Sequence, residues 1–317
     1  MAKSSKAKPI PLKKPRDPQA VKLRRRIALH LMGIIVFLGG CATGFYFLRR
    51  HVEHQIVFPA TPPQVVLKNR PAWMSDFLAG EIAKLARPAG TRSAFDHKLL
   101  VETYSALKTN PWIKSIKQVR RVYGQRPADT LEIDCEYRAP VALVKWGDFY
   151  WLVDGEGVKL PEAYTAQQVP QIILGRDKQL AMRIIQGVKQ PPAEPGNRWQ
   201  GEDLAAGLEM VKILFHKPYA EEIVKVDVSN FAGRKDKKEA QVVLITRYAT
   251  EVRWGRPISS TDFIVEAAPS QKLKYLQAIY EEVGRIDGNH PWIDIRFADD
   301  AVTYPSVHAD ATPANSH

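Results

Sequence analysis

The chain has 317 residues, 45% of them hydrophobic and 25% charged, with two cysteines and a formal net charge of +12. Two cysteines exclude a disulfide scaffold, and the length is enough for two ordinary domains with cores of their own. The charge is concentrated: residues 1–26 hold ten Lys or Arg against one acid, Asp17, so this segment carries +9 and the rest is near balance, which excludes a basic nucleic-acid-binding domain.

Residues 1–26, rich in Lys and Pro and poor in large apolar side chains, read as a solvated tail able to touch anionic lipid. Ile27 to Leu48 follows, 22 residues with no Asp, Glu, Lys or Arg and a single histidine, His30. As a helix it would rise roughly 33 Å against a hydrocarbon core of about 30 Å, so a single transmembrane span is expected. Ten basic residues before it and only Arg49 and Arg50 directly after it put the tail in the cytoplasm and the bulk of the chain outside an inner membrane. Leu38-Gly39-Gly40-Cys41 has the form of a lipobox, but the apolar run continues through Ala42, Phe45, Tyr46, Phe47 and Leu48. An uncleaved anchor is therefore expected.

Residues 49–63 are polar with Pro59, Pro62 and Pro63, a linker. Val65 to Leu67 reads as a strand. Ser75 then caps a helix burying Phe77, Leu78, Ile82 and Leu85, and Pro88 and Gly90 end it. A second helix from about Phe95 to Leu107 presents Leu99, Leu100, Thr103, Tyr104 and Leu107 at helical spacing, and Asn110-Pro111 closes it. The period then becomes two: Trp112 to Val119 reads as a strand, and Leu131, Ile133, Cys135 and Tyr137 share one face of another. Gly124, Pro127 and Asp129 supply the turn between them. Phe149 to Val153 is a further strand, turning at Asp154-Gly155-Glu156-Gly157.

Beyond a Pro-rich loop at Pro191 to Gly196, a helix from Glu202 to Phe215 carries Leu204, Leu208, Val211 and Phe215 as one core stripe. Val224, Val226 and Val228 alternate, as do Val242, Leu244 and Thr246. Ser270 is the expected cap of a last helix burying Leu273, Leu276, Ile279, Tyr280 and Val283, with Gly284 as its stop. Trp292 to Phe297 then reads as a strand continued by Ala301 to Tyr304, with Ile293, Ile295 and Phe297 on one face and Asp294 and Arg296 on the other. Residues 306–317 read as a disordered tail. No phosphate loop, nucleophile elbow or HExxH helix occurs, and the histidines are scattered, so neither catalysis, cofactor, metal nor small-molecule substrate is expected.

Taken in order, Asn110-Pro111-Trp112-Ile113-Lys114, Pro127 to Leu131, Glu136-Tyr137 with Pro140-Val141-Ala142, Leu152-Val153-Asp154 with Gly157, and Ile293-Asp294-Ile295-Arg296-Phe297 resemble the FtsQ/DivIB bacterial division proteins. The turn from Tyr123 to Asp129 is longer than the family's. The resemblance implies an α+β chain: a single-pass helix (27–48), a POTRA domain (64–140; strand, two helices, hairpin) and a mainly-β domain (141–305) with a C-terminal helix and strand. It also implies a non-enzymatic scaffold that holds other single-pass division proteins of the FtsB/FtsL kind. The alternatives are a POTRA-bearing transport component and a membrane-anchored wall-processing enzyme. Nothing in sequence order follows the terminal strand to cover it, so the resemblance and the strand's position both point to a partner-binding edge built from Asp294, Arg296, Phe297, Val302 and Tyr304.

Overall fold

A computed structural model describes residues 18–55, 63–88, 97–122, 130–174, 182–260, 266–297 and 304. The N-terminal helix α1 (Pro18–Gln55) is longer than the span expected from hydropathy and runs on through part of the anticipated linker. Its segment Arg25–His51 is long and apolar enough to cross a membrane, and none of that window is buried by the rest of the protein. Such a helix satisfies its own backbone hydrogen bonds along its length, so lipid can contact it without leaving unpaired groups.

Beyond α1 come β1 (Gln64–Lys68), α2 (Asp76–Ala86), α3 (His97–Lys108), β2 (Ile113–Val122) and β3 (Thr130–Tyr137). The three strands form one sheet in the order β1-β3-β2, with β1 parallel and β2 antiparallel to β3. Ser75 caps α2, its Oγ accepting from the Leu78 N–H at 3.1 Å. Alternation along β3 places Leu131, Ile133, Cys135 and Tyr137 in the core, where burial pushes the Cys135 thiol up to about 11.

The helical stripes are narrower than their sequence spacing suggests. Phe77 and Leu85 on α2, and Tyr104 on α3, are exposed; Ile82, Ala86, Leu99, Thr103 and Leu107 carry the burial. A three-stranded sheet is only wide enough to cover part of each helix, so side chains at the margin of an apolar arc stay in solvent. The turn from Tyr123 to Asp129 lies outside the described residues.

A sheet-rich body follows: β4 (Pro140–Trp146), β5 (Phe149–Asp154), β6 (Lys159–Thr165), the short α4 (Val169–Ile172), β7 (Arg183–Gln186), α5 (Glu202–Leu214), β8 (Ile223–Asp227), β9 (Val242–Thr246), β10 (Glu251–Gly255), α6 (Pro269–Val283) and β11 (Trp292–Asp294). The eight strands pair in the order β11-β10-β9-β8-β7-β4-β5-β6. Its middle is parallel, β7 lying between β4 and β8 and parallel to both. Both faces of this middle are covered, which is why Val141-Ala142-Leu143-Val144 is a continuous apolar run and does not alternate. Ala142, Val144, Ile185 and Val226 pack with Leu204, Leu208 and Val211 of α5 and, further along the sheet, with Leu276 and Ile279 of α6. On the opposite face Leu143, Leu152 and Ile184 belong to one cluster with Ile82, Leu107, Ile133 and Cys135 of the three-stranded unit.

Three expectations fail in this body. Phe215 and Val283, at the C-terminal ends of their stripes, are exposed. Ser270 lies inside α6 and Ala268 is its N-cap without a side-chain hydrogen bond; Pro269 at the first helical position begins the helix, as its fixed φ allows. The last strand ends at Asp294, short of Phe297, because Asp294 turns its carboxylate back onto Arg296. Gly284 does stop α6, at φ 76°.

Candidate functional site: the outer edge of the large sheet

Strand β11 ends the eight-strand order and pairs on one side only, parallel to β10 with Glu251, Val252 and Arg253 opposite Trp292, Ile293 and Asp294. Among the described residues no strand lies on its other side. The side chains of Ile293 and Ile295 are fully buried and fix it to the body. The inner hydrogen bonds run from Glu251 N–H to the Pro291 carbonyl (3.0 Å) and from Ile295 N–H to the Arg253 carbonyl (3.2 Å). In a parallel ladder alternate residues turn both backbone groups to one side, so Trp292 and Asp294 direct theirs outward.

Past Asp294 the edge is closed by the protein itself. Arg296 grips Asp294 through two nitrogens, Nη2 to Oδ2 at 2.7 Å and Nε to Oδ1 at 3.0 Å, and donates Nη1 to the Lys238 carbonyl at 2.6 Å. Its backbone N–H donates to Asp294 Oδ1 and its carbonyl accepts from Ala267 N–H at 2.6 Å. The hydrogen bond from Arg296 to Asp294 holds the guanidinium charge even more firmly than usual, despite burial. Asp294 is 4% exposed, so the pair is a buried clamp at the strand's end.

Beneath this clamp sits a second pair. Lys272, 2% exposed, donates Nζ to the Trp254 carbonyl at 2.7 Å and to Glu266 Oε2 at 2.8 Å. Burial lowers its pKa, and Glu266 opposes that. Gly255, at φ +98°, lets the end of β10 pass this cluster; a Cβ there would meet Arg296 Cγ at 2.7 Å.

Of the five residues expected at a partner edge, the structure brings three together. Asp294 and Arg296 form the clamp, and Phe297 is 39% exposed with the Arg296 guanidinium 5.1 Å from its ring. Tyr304 is apart from them, its ring 4.3 Å from that of His290. Val302 lies outside the described residues. Sequence reasoning missed the Arg253 guanidinium over the Trp292 ring (4.3 Å) and the Lys238 carbonyl. Arg253 was findable from its place in an alternating strand; Lys238, 58 residues from Arg296, was not.

The edge offers chemistry for recognition: outward main-chain groups, a rim aromatic and an anchored cation. Among the described residues no group of three or more His, Cys, Asp or Glu is placed to hold a metal ion. No protein-family model and no curated protein matches the chain.

Proposed function

We propose that this chain is a single-pass scaffold of the bacterial division apparatus, of the FtsQ/DivIB type. In this reading its tail is cytoplasmic, α1 crosses the inner membrane, β1 to β3 with α2 and α3 form a POTRA domain, and the larger sheet is the family's β domain outside the membrane. The scaffold is non-enzymatic and acts by holding FtsB/FtsL-like single-pass partners. The ordered motif series and the strand, helix, helix, hairpin order of the first unit support it. The observation that carries it is the side of β11 that no strand among the described residues covers, since an edge with outward N–H and C=O groups accepts a strand from another chain.

The decisive experiment titrates the full-length protein with the extramembrane segment of an FtsB-like partner. Val302→Pro removes one backbone donor and should weaken binding sharply, and Phe297→Ala should weaken it about thirtyfold. Wild-type affinity in both variants, with circular dichroism showing intact folds, removes the edge as the site. Depletion tests the wider reading: filaments or failed septa support division, whereas loss of outer-membrane proteins supports transport. A reporter active only outside the membrane should work after His317 and fail after Arg26.

A further inference from the structure

Strands β4, β7 and β8 run parallel, so their C-terminal ends open on one rim of the sheet. An open trough of about 610 Å³ lies at that rim, well away in the strand order from β11. Such a volume is in the range of small-molecule sites, roughly 300–1,000 Å³, and the carboxyl ends of parallel strands are where α/β sheets place ligands. Trp146 is a half-buried apolar wall, while Lys145 and Lys235 are exposed cations at the mouth.

The trough carries two lysines against one carboxylate, so its lining is net cationic. Asp227, its one carboxylate, is occupied: Oδ1 accepts from Ser229 N–H and Oδ2 from the Gln186 side chain, each at 2.7 Å. Among the described residues no carboxylate pairs with Lys145 or Lys235; the Lys235 ammonium donates only to Ser229 Oγ, at 2.7 Å. The position of Lys235 is built in. Asn230, 8% exposed, donates to the carbonyls of Asp236, Glu239 and Ala240 and accepts from the N–H groups of Lys235 and Asp236, which fixes the loop that carries the lysine. At the floor Gly187 (φ +84°) packs so tightly on Ser229 that an added Cβ would come within 2.5 Å of its backbone. Two ammonium groups with no carboxylate partner among the described residues, and a hydroxyl, beside an apolar wall match a phosphate joined to a small organic body.

We propose that this trough is a binding site for a phosphate-bearing ligand, with Lys145, Lys235 and Ser229 receiving the phosphate and Trp146 lining the organic part. The site is distinct from the β11 edge in its lining residues, although the loop that carries Lys235 also offers the Lys238 carbonyl to Arg296. Two sources share this chemistry, a soluble phosphomonoester and an anionic lipid headgroup. The test is calorimetric titration of the full chain in phosphatidylcholine nanodiscs, at fixed low ionic strength, with glycerol 3-phosphate. One saturable site is expected, weakened at least about tenfold when Lys145→Ala and Lys235→Ala are combined and unchanged by Lys274→Ala, an exposed cation on α6. A second arm adds phosphatidylglycerol to the nanodiscs: a lower apparent affinity for the probe assigns the site to headgroups, an unchanged affinity assigns it to soluble ligands, and both uphold it. Absence of saturation, or equal weakening by Lys274→Ala, overturns the proposal.

Discussion

The two margins of the eight-stranded sheet meet the problem of an unpaired edge in opposite ways. At β6 the chain covers the start of its own edge: the segment 194–199 pairs there, with Lys159 N–H donating to the Asn197 carbonyl, Gly196 N–H to the Lys159 carbonyl, and Val158 bridging Arg198. At β11 the described residues offer no such cover. There, a three-residue strand is closed only at its end, by the clamp of Arg296 on Asp294 and by Ala267. An edge paired within the chain has its donors and acceptors spent, whereas one left bare must be short, guarded by charge, or used. The β11 margin is short and charged, and Phe297 gives it an exposed aromatic rim.

The largest test of this contrast is Ile293→Ala. Ile293 is fully buried and anchors the bare strand, so its truncation should cost about 3 kcal/mol, read as a lower urea midpoint at unchanged slope. A loss below about 1 kcal/mol would mean that β11 is not held by its buried face. Next comes Phe297→Ala, expected to remove about 2 kcal/mol of partner binding while shifting stability little, because the ring is partly in solvent. Equal losses in both measurements would make Phe297 a core residue and not a contact.

On the covered side, Gly196 sits at φ +88° against Pro111, so Gly196→Ala should destabilise by about 1 kcal/mol. Faster amide exchange at Lys159 should accompany it, with no change at Ile295. The smallest effect is a pH slope at the loop leading into β11. Burial pushes the Asp287 pKa up, but hydrogen bonds from Arg285, Thr250 and the Asn289 N–H outweigh that and hold it below the ordinary value. With the folded pKa depressed, its stabilisation is complete above the unfolded pKa of about 3.9 and is lost as pH falls through the lower folded value. Between pH 5 and 2 the wild type should therefore lose more stability than Asp287→Asn, measured by urea midpoints; parallel curves would show that Asp287 does not hold the loop.

What the residues alone determined is whatever depends on neighbours two to four positions away. The apolar run within α1, the Ser75 cap, the alternation of Leu131 to Tyr137 and the stop at Gly284 were all legible, because side-chain period and cap chemistry are set within one turn or one pleat. Tertiary structure decided the rest. The exposure of Phe77, Phe215 and Val283 depends on what packs against each helix, which no local period encodes. The closure beyond β11 depends on Arg296 reaching Lys238 across 58 residues, and the loop before β11 on Glu222 accepting from Ile286 N–H across 64. The trough exists only because β7 inserts between β4 and β8, bringing Lys145, Gly187 and Ser229 to one rim. Strand order is a choice among long-range pairings of similar local sequence, and it is settled by which arrangement buries both faces of the parallel strands at once.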